Sequence, residues 1–203
     1  MNQVDILIPT CKDDWELCEQ IGELLQSDRD LDGDRIIYSC QKASASVNRN
    51  YCLNLAHSEI VVMIDDDMAG FFPGWYNLLV APLIADKDVI QVSARLLNED
   101  GSIGPMMGDM KNYTQPLVEV PLVPSACIAF RNDGTRFYEG YKGSGYEDSD
   151  FIFQLKDKYP NGKILVSNEC RLIHKHEMKN QSKHFEYNKA IFERRFPNAR
   201  FTL

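Results

Sequence analysis

Apolar and polar positions along this chain alternate between two periods, and each change of period marks an element. "VDILIP" (Val4 to Pro9) is an apolar run of strand length stopped by a proline. After it, Trp15, Cys18, Ile21 and Leu25 recur at helical spacing, and Asp13 with Glu16 has the form of a capping box at the helix start. "RIIYSC" (Arg35 to Cys40) predicts a second strand, followed by a helix on which Val47, Tyr51 and Leu55 share a face and Ser46 is a candidate cap. "EIVVMI" (Glu59 to Ile64) is apolar on both faces, as a central parallel strand covered by helices requires. Three strand-then-helix units thus fall in the first 85 residues. That pattern belongs to an open α/β sheet, in which ligands sit beyond the carboxyl ends of the strands.

The second half is less regular. "PGWYNLLVAPLIAD" reads as a helix interrupted by Pro82, and "VIQVSARLL" (Val89 to Leu97) as a strand. Asn98 to Pro116 has no steady period and is rich in glycine, methionine and polar residues, the composition of a mobile lid or binding loop. "PSACIAFR" (Pro124 to Arg131), "KILVS" and "CRLIH" read as strands, and "GYKGSGY" (Gly140 to Tyr146) as a flexible loop. "EDSDFIFQLKDKY" reads as a helix with Phe151, Leu155 and Tyr159 on one side, and "HFEYNKAIFERRF" as a closing helix. No internal repeat is present.

Composition narrows the class. A chain of 203 residues suits one domain with a proper core, and no apolar stretch approaches the roughly 20 residues of a membrane helix. The six cysteines lie far apart without a C-x-x-C pair, the usage of free thiols in a reducing cytoplasm. "MNQVDILIPTCKDDWE" has neither a basic leader nor a small-residue cleavage site, so a cytoplasmic protein is expected. A net charge of −8 argues against attraction to nucleic acid or anionic lipid. The one locally basic region, with Lys175, Lys179, Lys183, Lys189, Arg194, Arg195 and Arg200, reads as a solvated helix face or as a contact for phosphate or an acceptor.

Three acidic or imidazole-bearing sites carry candidate chemistry. Asp65, Asp66 and Asp67 end the third strand, where three like charges repel unless a cation offsets them. Strand alternation would put Asp65 and Asp67 on one side, as an oxygen-rich site for Mg²⁺ or Mn²⁺. The plain reading is a set of acids capping the next turn. Glu147 and Asp148 follow two glycines, Gly143 and Gly145, at a predicted helix start. There a carboxylate can cap the helix or take a proton from an attacking hydroxyl. His174 and His176, two residues apart after an apolar strand, can face the same way, and imidazole is a common ligand of Mn²⁺-like ions.

Taken in order, "DILIPTCK", "SASVNRNYCLNLAHSEIVVMIDDDM", "PSACIAFR", "GYEDSDF" and "LIHKH" make the chain resemble the family 2 glycosyltransferases of the GT-A fold, from about residue 3 to 176. The resemblance implies an α/β protein with a single Rossmann-like open mixed sheet flanked by helices. It implies a nucleotide-sugar-binding half over 1–97, an acceptor and catalytic half over 98–178, and a C-terminal helix over 179–203. It further implies an inverting transfer from a nucleotide-sugar donor, a UDP-sugar foremost, with Mn²⁺ or Mg²⁺ on the diphosphate. Carried over residue by residue, Pro9 and Thr10 lie beside the nucleobase and Arg49 lies close to the nucleotide. Asp65 lies near the ribose and the metal with Asp66 beside it, and Asp67 is the main metal ligand. Asp148 is the base, Glu147 orients the acceptor, and His174 is the additional metal ligand, with His176 second.

The chain departs from that pattern after the second strand. A "DDGS"-like acidic turn is usual there, whereas "YSCQKASAS" offers hydroxyls, Gln41 and Lys42, so the base is left open. The acceptor is open too: a glycan, a protein, a small molecule or a modified nucleobase. Rival readings are a sugar-phosphate nucleotidyltransferase, a haloacid-dehalogenase-type phosphatase and a non-catalytic sugar- or nucleotide-binding module. The first expects a glycine-rich loop where "PTCKDDWE" has no glycine, and the second expects its D-x-D after the first strand.

Overall fold

The computed structural model, in which residues 3–10, 14–27, 35–104, 114–175 and 183–199 are described, gathers these runs into one mixed sheet. In chain order the elements are β1 (Asp5–Thr10), α1 (Asp14–Ser27), β2 (Arg35–Cys40), α2 (Ala45–Leu55), β3 (Ile60–Ile64), β4 (Met68–Ala69), α3 (Asn77–Ala85), β5 (Val89–Leu97), β6 (Leu117–Glu119), β7 (Cys127–Arg131), α4 (Glu147–Lys158), β8 (Lys163–His174) and α5 (Phe185–Arg195). The strands lie in the order β2-β1-β3-β7-β5-β8-β4, with β6 also on β8. β1 is parallel to β2 and β3, and β5 to β8, while β7 runs antiparallel between β3 and β5.

Strand alternation divides the core between two faces. Ile6 and Ile8 of β1 and Val62 and Ile64 of β3 pack with Leu17 and Leu24 of α1 and Leu79 and Leu83 of α3. Leu7, Val61 and Met63 point the other way, onto Cys52 and Leu53 of α2 and Phe151 and Leu155 of α4. α3 continues through Pro82 to Ala85. An interior proline costs about 3 kcal/mol, and burial of Leu79, Val80 and Leu83 outweighs that at roughly 1.5–3 kcal/mol each.

The first two helices correct the sequence reading. On α1, Trp15 is 72% and Leu25 49% exposed, and Cys18 is exposed as well. The buried face is Leu17, Gln20, Leu24 and Ser27, where Gln20 donates its amide to the Asp65 carbonyl at 3.1 Å. On α2, Tyr51 and Leu55 are exposed, and the buried side is Ser46, Asn48, Arg49, Asn50, Cys52 and Leu53. Polar groups occupy that side because they are hydrogen-bonded. Asn48 accepts from the Ser39 hydroxyl at 3.1 Å and donates to the Gln41 carbonyl at 2.9 Å, and Asn50 exchanges two 2.8 Å bonds with the Phe137 backbone. The helix is capped by Ser44, whose hydroxyl accepts from the Val47 N–H at 3.4 Å, and Ser46 lies buried inside the helix instead.

"KILVS" and "CRLIH" are one strand, β8. The polar stretch between them marks a change of register with β5, where Ala94 pairs with Ser167 but Arg95 pairs with Arg171. Asn168 holds this irregularity by donating through its backbone to the Pro116 carbonyl at 2.8 Å and through its side chain to the Gln115 carbonyl at 2.7 Å. Asp13 of the expected capping box, the middle of the expected lid (105–113) and His176 lie outside the described residues. Among the described residues, no helix is long and apolar enough to cross a membrane.

Candidate active site

β3 is buried at all five positions, so the chain can carry charge only once it leaves the sheet. The aspartates do not continue the strand, as alternation had suggested. The Met68 N–H donates to the Asp65 carbonyl at 3.3 Å, which closes a turn over Asp66 and Asp67. β4 follows at once and pairs with the end of β8, Met68 opposite His174, while the Lys175 N–H donates to the Asp67 carbonyl at 3.0 Å. This backbone pairing brings His174 Nε2 to 3.2 Å from Asp67 Oδ1. One ligand atom each from Asp65, Asp67 and His174 lie within 4.8 Å of one another. Two carboxylate oxygens and an imidazole nitrogen, with further positions open to phosphate and water, are a donor set that fits Mn²⁺ or Mg²⁺. Burial works against a charged imidazole at His174, but the hydrogen bond and charge of Asp67, with Asp65 and Asp148 behind it, raise its pKa above the ordinary value. Asp66 is not part of that donor set and accepts a hydrogen bond from the Thr10 hydroxyl at the end of β1.

The second acidic pair sits at the start of α4. The residue before it, Tyr146, has φ 71°, a left-handed backbone at a non-glycine position. Such a conformation ordinarily costs about 1–2 kcal/mol. Its ring packs on Phe185 and Phe192 of α5, with centroids 5.3 and 5.4 Å away, which offsets the strain. The two acids differ in reach: the side chain of Glu147 is 3% exposed and that of Asp148 28%. Burial first, and then the charge of Asp148, push the Glu147 carboxyl up to about 7 in spite of Arg49. Asp148 accepts from the Ser125 N–H at 3.2 Å.

Arg49, buried on α2, ties the clusters together. Its Nη2 lies 3.1 and 3.2 Å from the two Asp65 oxygens, and its Nη1 lies 2.9 Å from Asp148 Oδ1 and 3.3 Å from Glu147 Oε1. Burial disfavours its charge, but Asp65, Asp148 and Glu147 more than compensate and raise its pKa. The Asp65 pKa is also raised, by burial foremost, with Arg49 opposing.

All of these residues line one cleft of about 340 Å³, which also contains Pro9 and Thr10 from the end of β1, Pro124 and Ala126 before β7, and Ser144 and Gly145. Each candidate residue within the described chain therefore reaches the same space. Two features went unread in the sequence. One is the sharing of Arg49 among three acids. The other is Asp150, fully buried, which accepts from Tyr141 Oη at 2.8 Å, Gln154 Nε2 at 2.6 Å and Arg195 Nε at 2.5 Å. The Arg195 partner lies 45 positions away on α5, a separation with no sequence signature.

No protein-family model matches the chain, and no curated protein sequence matches it. Solved structures do. GalNAc-T7, in a structure with UDP, GalNAc and Mn²⁺, aligns over 96% of this chain and 48% of its own, at 13% identity and a TM-score of 0.65. TarS of S. aureus, with UDP-GlcNAc, aligns over 97% of this chain and 67% of its own, at 15% identity and 0.67. Glucosyl-3-phosphoglycerate synthase of Mycobacterium tuberculosis, with Mg²⁺ and UDP, aligns over 87% and 72%, at 14% identity and 0.58. The chain spans about half the length of the GalNAc-T7 chain and two thirds of the TarS 1–349 chain. At these identities the likeness is one of fold, and the fold is GT-A.

Proposed function

We propose that this chain is a metal-dependent glycosyltransferase of the family 2 type. It would move a sugar from a nucleotide-sugar, a UDP-sugar foremost, to an acceptor hydroxyl with inversion. The observation that carries this reading is that a single cleft brings together the Asp65, Asp67 and His174 donor set and the Glu147–Asp148 pair, from three separate parts of the chain. The UDP and the Mn²⁺ or Mg²⁺ of the fold neighbours support the choice of donor and ion.

In this reading Asp65, Asp67 and His174 hold the cation, which when bound supplies Lewis-acid stabilisation to a departing diphosphate. Pro9, Thr10 and Asp66 form the nucleoside side of the cleft, with the Thr10 hydroxyl fixing the Asp66 carboxylate. Asp148 is the base: it is the more exposed acid of its pair, and Arg49 and the Ser125 N–H hold one oxygen each, so its direction is set before an acceptor arrives. It accepts the acceptor's proton as the hydroxyl oxygen attacks the anomeric carbon from the face opposite the leaving group, which inverts that carbon without a covalent enzyme intermediate. Glu147, buried behind it, orients the acceptor side, and Arg49 keeps Asp65 and Asp148 apart yet fixed. Residues 1–97 then form the donor half and 98–178 the acceptor half, with the acceptor a glycan, protein, small molecule or modified nucleobase.

The test is a panel of nucleotide sugars with Mn²⁺, scored for nucleoside diphosphate release with and without acceptors. Release from at least one donor, abolished by chelation, is expected. Donor binding without any release across the panel would leave a binding module in place of an enzyme.

A further inference from the structure

The loop that delivers Glu147 and Asp148 to the cleft is held from outside the sheet, by α5. Asn188 of α5 is fully buried, and its carboxamide is committed to that loop. Its Oδ1 accepts from the Lys142 N–H at 3.0 Å, and its Nδ2 donates to the carbonyls of Lys142 at 3.0 Å, Ser144 at 3.3 Å and Gly145 at 3.0 Å. The loop needs such a template because Gly143, Gly145 and Tyr146 have φ of 62°, 109° and 71°, a succession that no regular element supplies.

A trans peptide group is planar, so its C=O and N–H point in opposite directions. With the Ser144 carbonyl turned to Asn188, the Gly145 N–H must turn away from α5. With the Gly145 carbonyl turned the same way, the Tyr146 N–H is set as well. Ser144 and Gly145 themselves line the cleft.

We propose that Asn188 is a positioning residue: from α5 it fixes the Ser144–Gly145 and Gly145–Tyr146 peptides, and through them the direction in which Glu147 and Asp148 face the cleft. Its catalytic consequence rests on the transferase reading above, but its structural content does not. Docking of α5 does not depend on it. Phe192 is fully buried against Tyr146, Phe153 and Phe196, and Arg195 pairs with the buried Asp150 and lies 3.9 Å over the Tyr138 ring. Removing the carboxamide therefore frees the loop and leaves the helix in place.

Hydrogen exchange on the full chain separates positioning from simple adhesion. In Asn188→Ala, amides of residues 142–148 exchange at least about tenfold faster, while those of α5 keep their protection. Leu155→Ala, a core substitution in α4 chosen as a control of similar instability, lowers the melting temperature without selectively freeing the loop. On a donor found in the panel, Asn188→Ala lowers kcat by about 100-fold with the donor KM little changed, the signature of misplaced groups. Asn188→Asp, which keeps the volume and the Lys142 contact but has no N–H to donate, behaves like the alanine variant and replaces it if that variant does not fold. Wild-type protection of the loop in the variant, or parallel loss of protection in loop and α5, overturns the proposal. If no donor is turned over by the wild type, the transferase reading fails while the exchange result still decides the role of Asn188.

Discussion

The two acidic clusters of the cleft are built by different means. Asp65, Asp67 and His174 are placed by backbone pairing: Asp65 N–H donates to the Ala126 carbonyl at 2.7 Å, and β4 registers Met68 against His174. Glu147 and Asp148 are placed mainly by side chains, Arg49 on one flank and, through the preceding loop and Asp150, Asn188 and Arg195 of α5 on the other, with one backbone contact from the Ser125 N–H to Asp148. A site set by sheet register tolerates substitution around it and fails only at the ligands themselves. A site set by side chains fails at a distance, through residues that never meet substrate. Arg49 joins the two regimes, since the same guanidinium holds Asp65 and both acids of α4.

The comparison can be broken by four measurements. Asp148→Asn has the largest expected effect, a loss of about 10²–10⁴-fold in turnover with donor binding retained; unchanged turnover removes Asp148 from the role of base. Arg49→Met leaves three carboxylates without their shared partner and is expected to cost about 3–5 kcal/mol in denaturant unfolding. A cost under about 1 kcal/mol would mean that the two clusters are not coupled through it. Asp67→Asn is expected to weaken Mn²⁺ binding, followed by calorimetry, by roughly 10–100-fold, with little change in melting temperature because the register of β4 on β8 does not depend on that carboxyl. Equal Mn²⁺ affinity in both proteins contradicts the ligand assignment. The smallest effect is that of Glu147. Its folded pKa is raised from 4.5 to about 7, so the stability it contributes is fully present below pH 4.5 and is lost as pH rises through about 7. Glu147→Gln should flatten that part of the stability-against-pH profile of the metal-free protein, and an unchanged slope would show that another group is responsible.

The strands were legible because their signal is local: β1, β3, β5 and β7, buried on both faces, appear as apolar runs, and the edge strand β2 as a shorter one. β4 and β6, of two and three residues, carry too little pattern to be seen. The faces of α1 and α2 were misread for a physical reason. Periodicity assumes that apolar residues turn inward, whereas α2 turns Asn48, Arg49 and Asn50 inward because they bond the ends of β2, the loop before α4 and the acids of the cleft. On α1, two apolar stripes compete, and the one bearing Leu17 and Leu24 meets the sheet while the one bearing Trp15 and Leu25 does not.

By itself the sequence pointed to the acids at 65–67 and 147–148 and roughly where the sheet places them, since charge can follow a buried strand only at its end. Only the tertiary structure decided how those acids are held. The turn over Asp66 and Asp67, the hand-off from β4 to β8, and the reach of one guanidinium to carboxylates 16 and 99 positions away all depend on distances in space, and a chain records only distances along itself.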